Sequence, residues 1–268
     1  MKLEAFRAKF PERQVTAGRL KWGVIETKGK KGAPTLVLVP GTLGVADIFW
    51  NQISALAGKA RVIAITVPPS LDIIKLADGL KALFDKLGVD KAHLLGSSLG
   101  GFLIQHFAAR HPERIEKLYV ANTLLDPKAK ELRGPLPAEA KKMTPKQHLA
   151  KAHSNVAGMP TPDAGFKLLK TVLKDNADRL GGKWLKTRVL VVRDGPAVPK
   201  LKLPDSKIIV LDCADDPVIP APVLEAVRKR YPKAERFHLK GGGHFPYVTR
   251  PKDYIALFTR TLGLAGKA

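Results

Sequence analysis

Two serines stand among glycines at Gly96-Ser97-Ser98-Leu99-Gly100. The pattern G-x-S-x-G suits a sharp strand-to-helix turn, where small flanking residues let strand and helix approach and the central hydroxyl is lifted clear. Ser98 holds the central position and Ser97 the variable one. The context fits: the apolar run KAHLLG comes before the motif and FLIQHFAARH, with helical spacing, follows it. A serine hydroxyl is a weak nucleophile at neutral pH, so it needs a general base, and the base needs an orienting carboxylate. For a turn of this kind the expected chain order is serine, acid, histidine.

Of the seven histidines, His244 has the setting of a base. It stands in LKGGGHFPY, directly after an expected final strand, in a loop freed by Gly241, Gly242 and Gly243. His93, His106, His111, His148, His153 and His238 fall inside expected strands, helices or the lysine-rich middle of the chain. The acid is expected after the strand upstream, in IIVLDCADDPVIP. Asp216 is the first choice and Asp215 the second, with Asp212 placed inside the strand. Asp126 and Asp194 follow other apolar segments and are outside candidates. An alternative role for Asp216 is capping the helix expected near Pro220. An oxyanion needs two N–H donors: Leu99, next after the serine at the positive end of a helix, and Thr42, in the turn VPGTLG. No histidine pair has metal-ligand spacing and there is no cysteine cluster, so neither a catalytic metal nor a cofactor is expected.

These residues need a scaffold. Buried strands are expected at 34–41, 61–69, 91–98, 115–124, 206–213 and 235–242. Helices are expected at 47–57, 73–87, 100–110, 220–230 and 251–262. Strand-helix alternation predicts an α/β protein with a mostly parallel central sheet covered by helices on both faces. Residues 125–187, rich in Lys, Ala and Pro with short helical patterns, break the rhythm. They predict a small helical cap inserted into a core made of 1–124 and 188–268. Residues 187–199, TRVLVVRDGPAVP, read as a strand or an extended return.

Composition limits the alternatives. Hydrophobic residues make up 45% of the 268, the level of a folded domain. No apolar run approaches the roughly 20 residues of a membrane span. The opening MKLEAFRAKFPERQ lacks the apolar core of a signal peptide. With a single cysteine, Cys213, these features predict a cytoplasmic protein. Lys and Arg number 46 against 24 Asp and Glu, a net charge of +22. The basic residues are spread along the chain without a recognised nucleic-acid motif. The expectation is salt-sensitive adsorption to polyanions and no specific nucleic-acid partner.

The stretches GTLGVADIFWNQISALAGKARVIAI, LADGLKALFDKLGVDKAHLLGSSLGGFLIQHFA and KRYPKAERFHLKGGGHFPY resemble the α/β-hydrolase superfamily. Within it they are most similar to the maspardin-like proteins. The likeness covers roughly 35–125 and 205–260. It implies the α/β-hydrolase fold and a serine hydrolase in which Ser98, His244 and Asp216 form a triad acting on a small acyl substrate. It also implies a second function, because animal maspardins are regarded as non-catalytic adaptors. The adaptor is the competing expectation, but the maspardin pattern carries asparagine where this chain has His244, a departure that restores a possible triad.

Overall fold

A computed structural model describes residues 1–132 and 137–264. Of the expected insertion, residues 133–136 therefore lie outside the description. The chain opens with helix α1 (Leu3–Lys9) and a hairpin of β1 (Arg13–Ala17) and β2 (Leu20–Thr27). Next come β3 (Thr35–Val39), a 3₁₀ turn at Ala46–Phe49 leading into α2 (Trp50–Leu56), β4 (Arg61–Thr66), α3 (Ile73–Lys86), β5 (Ala92–Ser97), α4 (Leu99–Arg110) and β6 (Ile115–Ala121). Between β6 and the next strand, the described residues hold the helices α5 (Pro137–Lys142), α6 (Pro145–Ala157) and α7 (Ala164–Arg193). The chain ends with β7 (Ile208–Cys213), α8 (Ala221–Arg230), β8 (Glu235–Leu239), α9 (Pro246–Thr249) and α10 (Pro251–Thr261).

The eight strands form one sheet in the order β1-β2-β4-β3-β5-β6-β7-β8. β2 pairs antiparallel with both β1 and β4, and every later pairing is parallel. The expected α/β architecture is present. Two apolar layers cover the sheet. Trp22, Leu80, Leu94, Phe102 and Phe107 pack on one face. Phe49, Leu95, Tyr119, Leu211 and Phe258 pack on the other. Central strands such as β5 are buried at every position, as a sheet covered on both sides requires. From β3 the chain goes first to β4 on one side and then to β5 on the other. The carboxyl ends of β3 and β5 therefore border the switch point where α/β sheets open a crevice.

One expectation needs correction, and the first hairpin, β1 and β2, carried no strand signal in the sequence. TRVLVVR at 187–193, expected as a strand or return, continues α7, and an irregular return begins only after Arg193. Its β-branched residues favour a strand in isolation, but Leu190 and Val191 are buried in the fold, and this burial overrides propensity. α7 is broken at Gly181, whose φ of 67° and ψ of 164° are non-helical, so it consists of two helical segments joined at a kink. Among the described residues, no helix is long and apolar enough to cross a membrane.

Candidate active site

Ser98 sits between β5 and α4 with φ 55° and ψ −119°, a conformation that side chains other than glycine rarely adopt. Neighbours hold it there. Its N–H donates to Ala121 O at 3.0 Å, and its carbonyl accepts from Phe102 N–H at 2.9 Å and Thr123 Oγ1 at 2.7 Å. The small residues of the motif are needed because a Cβ on Gly96 would lie 2.3 Å from Gly100 O, and one on Gly100 2.2 Å from Val39 O. Ser97 is 1% exposed and stays out of the cavity that Ser98 lines.

His244 and Asp216 meet. Their side chains are 4% and 1% exposed, and His244 Nδ1 lies 2.9 Å from Asp216 Oδ2 and 3.1 Å from Oδ1. Asp216 accepts three further hydrogen bonds. Asn122 Nδ2 donates to Oδ2 at 2.8 Å, and the N–H groups of Val218 and Ile219 donate to Oδ1 at 2.8 and 3.0 Å. Burial pushes the Asp216 carboxyl upward. The charge of His244 and the hydrogen bonds from His244, Asn122 and Ile219 outweigh it, holding the group below its usual value and ionised at neutral pH. Asp216 does not cap α8, whose N-cap is Pro220.

Asp215 has another task. Its carboxylate accepts from Gly242 N–H at 3.1 Å and Gly243 N–H at 2.8 Å, and Thr249 Oγ1 donates to Gly242 O at 2.7 Å. These contacts fix the glycine loop that presents His244. The remaining candidate acids lie elsewhere. Asp212 lies in β7 beneath Arg228 and His238, Asp126 closes a local turn at Lys128 N–H, and Asp194 pairs with Lys141. Four of the other histidines have polar partners away from the site: His93 on Tyr119, His111 on Asp78, His153 on Asp178 and His238 on Asp212. His106 is buried in α4. His148 reaches the cavity wall but bonds to Ala140 O through Nε2.

Ser98, His244 and Thr42 line one cavity of about 680 Å³ between the carboxyl ends of the strands and the helices that follow β6. Its walls are mainly apolar, with Leu43, Val156, Met159, Leu173, Leu185 and Phe245. Leu99 begins α4, so its free N–H stands at the positive end of that helix. Gly41 brings the Thr42 turn against the serine: a Cβ there would lie 2.9 Å from Ser98 Cβ. Burial, together with the charges of Asp215 and Asp216, pushes the Cys213 thiol up to about 12, so it is not a competing nucleophile at neutral pH.

Asn122, the amide that steadies Asp216, carries little signal in the sequence. It follows β6 at φ 41°, and its sequence signal was only an asparagine directly after a strand. The loop-fixing role of Asp215 had no signal beyond its nearness to Asp216.

Known proteins share this fold and family. Residues 36–257 match the model of the Alpha/beta hydrolase family. Human maspardin is 31% identical over 236 residues, covering 87% of this chain and 76% of its own. Carboxylesterase YbfK of Bacillus subtilis is 36% identical over 106 residues, 36% of each chain. Among solved structures, the enol-lactonase of Burkholderia xenovorans LB400 superposes with a TM-score of 0.77 at 18% identity, covering 94% of this chain and 100% of its own. The esterase RhEst1 of Rhodococcus sp. ECU1013 gives 0.76 at 18% identity, covering 95% and 99%. The strand-to-helix turn at Ser98, the sheet order and the family match lead to one conclusion: the chain belongs to the α/β-hydrolase family and is a relative of maspardin.

Proposed function

We propose that this protein is a serine hydrolase that cleaves a small carboxylic ester, thioester, lactone or amide through an acyl-enzyme at Ser98. The observation that carries the reading is the buried His244–Asp216 pair opening onto the same cavity as the strained Ser98. Ser98 Oγ attacks the substrate carbonyl as its proton passes to His244 Nε2. Asp216 holds Nδ1–H in place and stabilises the imidazolium that forms. The N–H groups of Leu99 and Thr42 hold the tetrahedral oxyanion. Collapse expels the alcohol, thiol or amine, which takes the proton from His244. Water then repeats the sequence on the acyl-enzyme, releasing the acid and restoring Ser98.

Residues 125–187 serve as the cap in this reading, and the apolar cavity walls suit an apolar acyl group. The alternative, a maspardin-like binding protein without turnover, is favoured by the 31% identity to maspardin. Against it stands the buried, hydrogen-bonded pair of His244 and Asp216, which a binding protein has no need to maintain. The deciding experiment follows p-nitrophenyl acetate, butyrate and hexanoate and a γ-lactone with the wild type and Ser98→Ala. Turnover by the wild type alone supports the hydrolase. Equal rates in the two proteins refute it.

A further inference from the structure

The loop that carries Thr42 is held from an unexpected side. It is a tight turn in which Gly44 N–H donates to Gly41 O at 3.0 Å. The next three carbonyls all accept from α7. Arg188 Nη1 donates to Thr42 O at 3.0 Å and to Gly44 O at 2.6 Å, and Asn176 Nδ2 donates to Leu43 O at 3.1 Å. Arg188 Nη2 also donates to Val67 O, at 2.7 Å, tying the loop to the end of β4. Asn176 and Arg188 lie on the two segments of α7, either side of the Gly181 break. Both are buried, at 0% and 1% exposure.

Arg188 is an expensive residue to place there. Burial lowers its pKa to about 9, against a weaker raising effect from Glu12, and its hydrogen bonds go to carbonyls rather than to a carboxylate. A buried charge persists where its hydrogen bonds are needed. Here they engage the loop's peptide groups from one side. The loop has no cis peptide, so each N–H points opposite to the carbonyl of its own peptide group. With Gly41 O taken up inside the turn, the Thr42 N–H is directed out of it.

We propose that Asn176 and Arg188 are positioning residues that set the oxyanion-hole loop, making α7 part of the catalytic apparatus as well as a wall of the cavity. The proposal rests on the hydrolase reading. α7 also contributes Leu173, Leu185 and Val189 to the cavity.

The test uses Arg188→Met, Arg188→Lys and Asn176→Leu in the full chain. It measures kcat and KM for p-nitrophenyl butyrate, the affinity for an aliphatic trifluoromethyl ketone, and the thermal midpoint. The ketone forms a tetrahedral adduct with Ser98 and so reads the oxyanion donors. Arg188→Met should lower kcat about 100-fold, the scale of one lost oxyanion donor, and lower ketone affinity in proportion. KM should stay within about threefold, because the lost interaction belongs to the transition state. Arg188→Lys should recover part of the loss, and Asn176→Leu should show a smaller effect of the same kind. If Arg188→Met does not fold, Asn176→Leu and Arg188→Lys decide. Variants that melt lower yet keep kcat and ketone affinity would show a merely structural role and overturn the proposal. A wild type that hydrolyses no ester would overturn the hydrolase reading and this proposal with it. An active wild type with fully active variants overturns this proposal alone.

Discussion

Replacing Asp216 by asparagine changes one atom, and the surrounding hydrogen bonds dictate how the new amide sits. Oδ1 of the carboxylate accepts from two backbone N–H groups, those of Val218 and Ile219. Oδ2 faces Asn122 Nδ2 and His244 Nδ1. If the amide oxygen keeps the Oδ1 position, its NH₂ group faces His244 Nδ1 and donates to it. Asn122 can then turn its own amide, since its Oδ1 is otherwise unpartnered. This orientation forces the proton onto His244 Nε2, the tautomer that cannot accept a proton from Ser98. The productive orientation places NH₂ against both backbone donors. Stranding a buried donor costs about 1–3 kcal/mol, and less near the surface where Val218 lies, so the productive form is disfavoured by roughly 2–4 kcal/mol. At about 1.4 kcal/mol per decade, that is a loss of roughly 30- to 1,000-fold, before the imidazolium also loses its counter-charge. Asp216→Ala presents no donor to Nδ1 and should retain at least as much activity. The assay is kcat/KM for p-nitrophenyl butyrate, with the thermal midpoint as the folding control. If a folded Asp216→Asn kept more than about a tenth of the wild-type value, the tautomer argument and the assignment of Asp216 would both be wrong.

Asp215→Asn should be milder, because an amide oxygen can still accept from one of Gly242 and Gly243. A loss greater than that of Asp216→Asn would reverse the roles assigned to the two acids. Ser98→Gly should abolish turnover while raising the midpoint, since glycine relieves a left-handed conformation that costs a serine about 1–3 kcal/mol. A lower midpoint for Ser98→Gly would show that the turn is not strained. Because its pKa is depressed on folding, Asp216 contributes stability that is fully present above the unfolded value, near 3.9, and is lost as pH falls through the lower folded value. The stability gap between the wild type and Asp216→Asn should therefore narrow as pH falls below about 4, and a gap that widens there contradicts the assigned shift.

What the sequence made legible were features that local chemistry marks. The strand-turn-helix at Ser98 showed because small residues, an apolar strand and a helical period all fall within 91–110. Asp216 showed because it follows an apolar strand in a run of turn residues, and His244 because three glycines after a short strand mark a loop. The hairpin β1–β2 did not show. Its antiparallel strands mix exposed and buried positions, and β1 has only two buried residues to set a period. The helical course of 187–193 was illegible because tertiary burial, not propensity, decides it. Asn122, Asn176 and Arg188 act across large sequence separations. Arg188 bonds to Thr42 from 146 positions away, and no local pattern signals such a pairing.

The central claim is that Ser98 is an activated nucleophile served by His244 and Asp216. Its most direct test is the intact mass of the purified protein after treatment with a fluorophosphonate, beside Ser98→Ala and His244→Ala. A single covalent adduct on the wild type, absent from Ser98→Ala and strongly slowed in His244→Ala, is the predicted result. An unlabelled wild type, under conditions that label a control serine hydrolase, would contradict the account and favour the binding-protein reading.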